Sequence, residues 1–140
     1  AEELGLVGSK YFTEHPTLPL EKITAMLNMD MIGRYNPSNG LAVIGYGTSS
    51  QWPAIFEDIQ APIKFNLSRD GNGGSDQTSF YKKNIPVLFF HTGGHPDYHM
   101  PTDDADKIDY NALKSILDLE KTVVENIMKQ SNKMDFVWTN

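Results

Sequence analysis

Three stretches of this 140-residue chain place ionisable side chains where packing alone does not ask for them. The first is Glu2-Glu3, ahead of Leu-Gly-Leu-Val-Gly-Ser9. Two adjacent carboxylates at a helix start can complement the positive end of the helix dipole, each contributing about 0.3–1 kcal/mol. Alternatively, one binds a metal and its neighbour shuttles a proton. The second is Asp30 in Asn28-Met-Asp30-Met-Ile-Gly33, an acid within an apolar run. An isolated buried carboxylate is costly, so Asp30 needs solvent, a cation such as Arg34, or a metal. The third is His91-Thr-Gly-Gly-His95-Pro-Asp97-Tyr98-His99-Met-Pro-Thr-Asp103-Asp104, with three His among its 14 residues. Asp103 or Asp104 could cap a turn there. His and carboxylate donors without Cys also suit a catalytic Zn²⁺, Co²⁺ or Mn²⁺.

Several chemistries are excluded or left without a signal. The chain contains no Cys, hence no disulfide, thiolate metal site or Cys nucleophile. HExxH and GxSxG are absent, and neither Gly45-Tyr46-Gly47 nor Gly71-Asn72-Gly73-Gly74 forms the dinucleotide fingerprint. Asn66-Leu67-Ser68 matches a glycosylation sequon, too short a pattern to carry a role. A net charge of −6 with no Lys/Arg run argues against nucleic acid or an anionic membrane. No stretch approaches the roughly 20 apolar residues of a transmembrane helix.

The elements that must position these residues alternate between helix and strand. Leu4–His15 is predicted helical from Leu4, Val7, Tyr11 and Phe12. Ile23–Ile32 reads as a buried strand, Leu41–Ile44 and Ile63–Leu67 as two more, and Pro86–His91 as a fourth. Ser50 is placed to cap a helix over 51–60. Residues 75–83 read as a helix, Thr92–Asp106 as a long polar loop, and 109–129 as a helix with a wide apolar stripe. Apolar strands between amphipathic helices predict an α/β three-layer sandwich, its mostly parallel or mixed sheet flanked by helices. Chemistry belongs at the strand ends.

Taken in order, the segments resemble metallopeptidase family 28, the co-catalytic two-zinc aminopeptidases. The matching stretches are Glu2–Ser9, Leu27–Gly33, Gly74–Phe80, Ile85–Phe90 and Tyr98–Ile108. The resemblance implies Glu2 as general base, with Glu3 and His99 as ligands of one metal and Asp30 as a ligand of the other. Asp76, His95 and Tyr98 become candidates for contacts to the substrate or to those ligands. It further implies two zinc ions (Co or Mn being possible), a metal-bound water, and hydrolysis of peptides with a free N-terminus by a secreted or periplasmic enzyme. The family's first His ligand and bridging Asp lie upstream of its Glu pair. The 140 residues are therefore expected to be the C-terminal part of one catalytic domain, inactive alone. Gln77 departs from the His that many members carry after Ser-Asp. Two rival readings are a glutaminyl-cyclase-like single-zinc acyltransferase and a non-catalytic peptidase-like binding domain.

Overall fold

A computed structural model describes residues 1–139. Its sheet has four strands: β1 (Met26–Met29), β2 (Leu41–Ile44), β3 (Phe65–Ser68) and β4 (Val87–His91). Their order is β1-β4-β2-β3. β1 lies parallel to β4, with Met26 opposite Val87 and Met29 opposite Phe90. β2 is parallel to β3 and antiparallel to β4, so the sheet is mixed, as predicted. The helices are α1 (Val7–Glu14), α2 (Trp52–Phe56), α3 (Gln77–Tyr81) and α4 (Tyr110–Met128).

Side chains alternate across a strand, and β4 uses both faces. Leu88 and Phe90 join Leu41, Val43, Trp52, Ile55, Ile116, Leu119 and Val123 in the core under α2 and α4. Val87 and Phe89 point the other way, toward the side where α3 packs on β1 and β4 and α1 packs on α3. The result is the expected three-layer α/β sandwich. α1 is attached to α3 through Ser9 Oγ and Ser79 Oγ at 2.8 Å and through the rings of Phe12 and Phe80, 5.7 Å apart.

Several boundaries differ from the sequence reading, each for a local reason. The strand predicted over Ile23–Ile32 pairs only at Met26–Met29, because a 3₁₀ turn (Leu20–Lys22) precedes it and Met31 adopts a left-handed φ of 56° after it. Ser50 does not cap α2. Gln51 is the N-cap, Ser49 Oγ accepts from Gln51 N (3.2 Å), and Ser50 N donates to Asp135 Oδ1 (2.9 Å). Helix α1 starts only at Val7, with no acid in its first turn, which removes the dipole explanation for Glu2 and Glu3. Leu4, Val7 and Tyr11 are exposed rather than buried. The stripe on α4 is narrower than expected: Ile116, Leu119 and Val123 are buried, whereas Leu117, Val124 and Met128 are exposed.

The junction between β2 and β4 depends on one buried hydroxyl. Gly45 has φ 103°, and a Cβ there would stand 2.2 Å from Val87 O, so the chain turns against bare strand backbone. Three residues on, Thr48 Oγ1 donates to Gly45 O (2.7 Å) and accepts from Val87 N (3.0 Å) and Trp52 Nε1 (3.1 Å). Thr48→Val preserves shape but strands two buried N–H donors. Each buried unsatisfied donor costs about 1–3 kcal/mol, so we expect a loss of about 2–4 kcal/mol. Urea unfolding followed by tryptophan fluorescence should show a lower midpoint at unchanged slope.

Candidate metal and substrate site

Parallel pairing carries β1 and β4 to the same end of the sheet, and the pairing continues past the strands. Asp30 N donates to Phe90 O (3.2 Å), and Met31 O accepts from Thr92 N (3.1 Å) and Thr92 Oγ1 (2.5 Å). Asp30 is thereby fixed beside the start of the His-rich loop. Glu2 and Glu3 arrive from α1: Gly5 N and Leu6 N both donate to Glu2 O, at 2.9 and 2.8 Å, closing a turn just before the helix. Because α1 rides on α3, the same helix positions the Glu pair and the Ser75-Asp76 segment that precedes it.

The three polar stretches converge on one cleft of about 700 Å³. Its walls include Glu2, Glu3, Asp30, His95, Tyr98 and His99. Glu3 Oε1 and His99 Nε2 are 3.0 Å apart, joining residues 96 positions apart in the sequence. Tyr98 stacks on the His99 ring, with centroids 3.9 Å apart. Asp76 lies in an adjoining cavity with Glu2, Glu3 and Asp30, and its buried Oδ1 has no hydrogen-bond partner. His95 Nε2 is 3.8 Å from Asp103 Oδ2, and its buried Nδ1 is likewise unpartnered. Among the described residues, no three His, Asp or Glu side chains gather closely enough to hold an ion by themselves. The donors present are of the types zinc accepts: carboxylate and imidazole, with Glu3 and His99 adjacent. A catalytic zinc ordinarily takes three protein ligands, and that pair supplies two.

The surroundings of Glu2 raise its proton affinity. Its carboxyl is raised above the ordinary glutamate value by burial first, then by the nearby charges of Asp30, Glu3 and Asp76. His91, at the end of β4, is lowered by burial, which Asp30 partly opposes.

The long loop is tied by an ion-pair hub that the sequence reading did not assign. Asp97 accepts from Arg34 Nη2 (2.8 Å), Lys107 Nζ (2.6 Å) and Thr102 Oγ1 (2.7 Å). Arg34 also donates to Asp103 (3.1 Å). Arg34 therefore serves the loop rather than Asp30, whose Oδ2 accepts instead from Ser75 Oγ (2.9 Å). Asp104 makes no side-chain cap to the short 3₁₀ turn Ala105–Lys107. Ser75 and His91 are the cleft residues that the reading passed over. Ser75 stood inside the matched Gly74–Phe80 segment, and His91 was counted in the His cluster without a role.

A family comparison decides what this cleft is similar to. The model of peptidase family M28 matches residues 1–124. The chain belongs to peptidase family M28. This M28 chain is 38% identical to Leupeptin-inactivating enzyme 1 of Streptomyces exfoliatus, over 62% of its own length and 20% of the relative's. It is 28% identical to aminopeptidase YwaD of Bacillus subtilis (strain 168), over 95% of its length and 31% of the relative's. Among solved structures it resembles BSAP, a zinc aminopeptidase from Bacillus subtilis. The TM-score there is 0.73 at 25% identity, over 97% of this chain and 36% of that one. The M28 chain thus spans about a fifth to a third of the length of the curated relatives it matches.

Lys107 first, then Arg34 and Thr102, hold the Asp97 carboxyl well below the usual carboxylate range. Its folded value is depressed, so its stabilisation is complete above the unfolded value of about 3.9 and is lost as pH falls below that. Asp97→Asn should lower the melting temperature at pH 7. The gap between variant and wild type should shrink as pH drops below about 4. Calorimetric scans across that range test the sign, and a gap that widens in acid would refute it.

Proposed function

We propose that this chain is the C-terminal part of one catalytic domain in a two-zinc aminopeptidase. The proposed reaction is hydrolysis of the first peptide bond of substrates with a free N-terminus. The supporting observation is the cleft itself, where Glu2, Glu3, Asp30 and His99 line one space at the C-terminal ends of β1 and β4. Membership of M28, and relatives named as aminopeptidases, give the reaction class.

In this reading Glu3 and His99 would hold one ion and Asp30 the other, with further donors from regions of the relatives that this chain does not span. Zinc, when bound, supplies Lewis acidity: it polarises the scissile carbonyl and lowers the pKa of the attacking water toward about 7. Glu2 takes the proton from that water and delivers it to the leaving amine. Leu6, Met31 and Phe89 give the cleft an apolar wall on which the substrate's first side chain can rest. Asp76, His95 and Tyr98 stand around the ligands, where they orient either substrate or ligand.

The test separates base from ligand. The 140-residue chain alone should give no measurable hydrolysis of aminoacyl-p-nitroanilides. Robust turnover by it, abolished by a chelator, would show that the ligands are misassigned. In a chain extended to the relatives' length, Glu2→Gln should keep its metal and lose about 10²–10⁴-fold in kcat, the contribution of a positioned base. Glu3→Gln and His99→Ala should lose metal and activity together. Metal per chain by atomic emission, beside kcat, distinguishes these outcomes. Metal lost from Glu2→Gln but kept by Glu3→Gln would reverse the two roles.

A further inference from the structure

Gln77 is fully buried, yet its Nε2 has no hydrogen-bond partner. It lies against bare backbone: a Cβ on Gly73 would approach that nitrogen to 2.5 Å. An amide oriented to leave a donor stranded needs a reason, because a half-turn exchanges its oxygen and nitrogen.

The reason lies in the neighbours. Asn28 Nδ2 is 3.1 Å from Gln77 Oε1 and 2.9 Å from Ser75 Oγ. Ser75 Oγ is in turn 2.9 Å from Asp30 Oδ2. An ionised carboxylate only accepts, so the proton between Ser75 and Asp30 must come from the serine. Ser75 has one proton and, having given it to Asp30, can only accept from Asn28. Asn28 must therefore turn its NH₂ toward Ser75. The same NH₂ faces Gln77, which must present its oxygen and leave its own nitrogen unpaired. Turning both amides over would satisfy Gln77 Nε2 against Asn28 Oδ1. It would also draw the serine proton toward Asn28 and leave two bare oxygens facing each other at Asp30.

We propose that Asn28 and Gln77 are positioning residues for Asp30, acting by locking the Ser75 hydroxyl as a donor to Asp30 Oδ2. Oδ2 is then occupied from the protein side, and Oδ1 is the oxygen left for an ion. The proposal rests on the reading of Asp30 as a metal ligand. Gln77, where many members carry His, becomes the buried end of a three-residue relay. Hydrogen-bonding partners of metal ligands typically contribute about 10–100-fold in metal affinity, which sets the size of the expected effect.

Co²⁺ binding is measured in a chain extended to the relatives' length, and NMR of labelled protein is run on the 140-residue chain. Wild type, Gln77→Met, Ser75→Ala, Ser75→Thr and Asp30→Asn are compared after thermal scans show that each folds. In the metal-free wild type, the Asn28 side-chain NH₂ should exchange with solvent more slowly than that of exposed Asn132. Gln77→Met and Ser75→Ala should each erase that protection and raise the Kd for Co²⁺ about tenfold or more. Ser75→Thr, which keeps the hydroxyl, should restore both. Two results overturn the relay: an unprotected Asn28 amide in the wild type, or an unchanged Kd in Gln77→Met and Ser75→Ala while Asp30→Asn weakens binding. An unchanged Kd in Asp30→Asn would instead remove Asp30 as a ligand, and this inference with it.

Discussion

The parallel pairing of β1 with β4 is the constraint on which the rest depends. It brings the ends of two strands about sixty residues apart in sequence to one edge of the sheet. Two of the three polar stretches are extensions of those strands. Asp30 is the residue after β1, and the His-rich loop begins at the last residue of β4. The bonds from Asp30 N to Phe90 O and from Thr92 to Met31 O prolong the pairing just beyond the regular strands. Without that pair, Asp30 and His99 have no reason to share a cleft. β4 also separates two kinds of interior: an apolar core under α4 on one side, and on the other a layer containing Ser75, Gln77 and Thr78. The polar layer surrounds Asp30, and the apolar layer holds the strands still.

The second constraint is charge. The cleft gathers Glu2, Glu3 and Asp30, with Asp76 beside them, in a chain that is already net negative. Glu2 is raised by burial first and then by Asp30, Glu3 and Asp76, while Glu3 lies against the imidazole of His99. Lys10 lines the cleft, its Nζ donating to Gly5 O. Arg34 and Lys107 are both committed to Asp97, outside the ligand set. With Glu2, Glu3, Asp30 and Asp103 against Lys10 in its lining, the cleft stays net acidic.

The sequence made the architecture and the identity of the cleft residues legible, because both rest on short-range signals. Apolar runs bounded by Gly and Pro marked β2 and β4, and Glu2, Glu3, Asp30 and His99 stood out as charges in unexpected company. What it could not reveal depended on partners far along the chain. Arg34 reads as a natural partner for Asp30, four residues away, yet it turns to Asp97, sixty-three residues away. Ser75 reads as part of a helix start, and only the fold shows its hydroxyl on Asp30. The exposed Leu4, Val7 and Tyr11 gave helical spacing, but spacing does not say what covers a face. The left-handed φ of Met31, at 56°, left no trace in a residue type that rarely adopts it.

The contact between Glu3 and His99 joins residues 96 positions apart, and both side chains are largely open to water. An exposed pair of this kind contributes little stability of its own. It cannot bring these segments together; it can only appear once the sheet has done so. Ordering so long a loop has an entropic cost that the sheet and core must cover before the pair forms. The cleft therefore has no existence in any partly folded intermediate that lacks the β1–β4 ladder. Its geometry exists only where that ladder exists, so a nascent or damaged chain without the ladder presents no half-formed cleft.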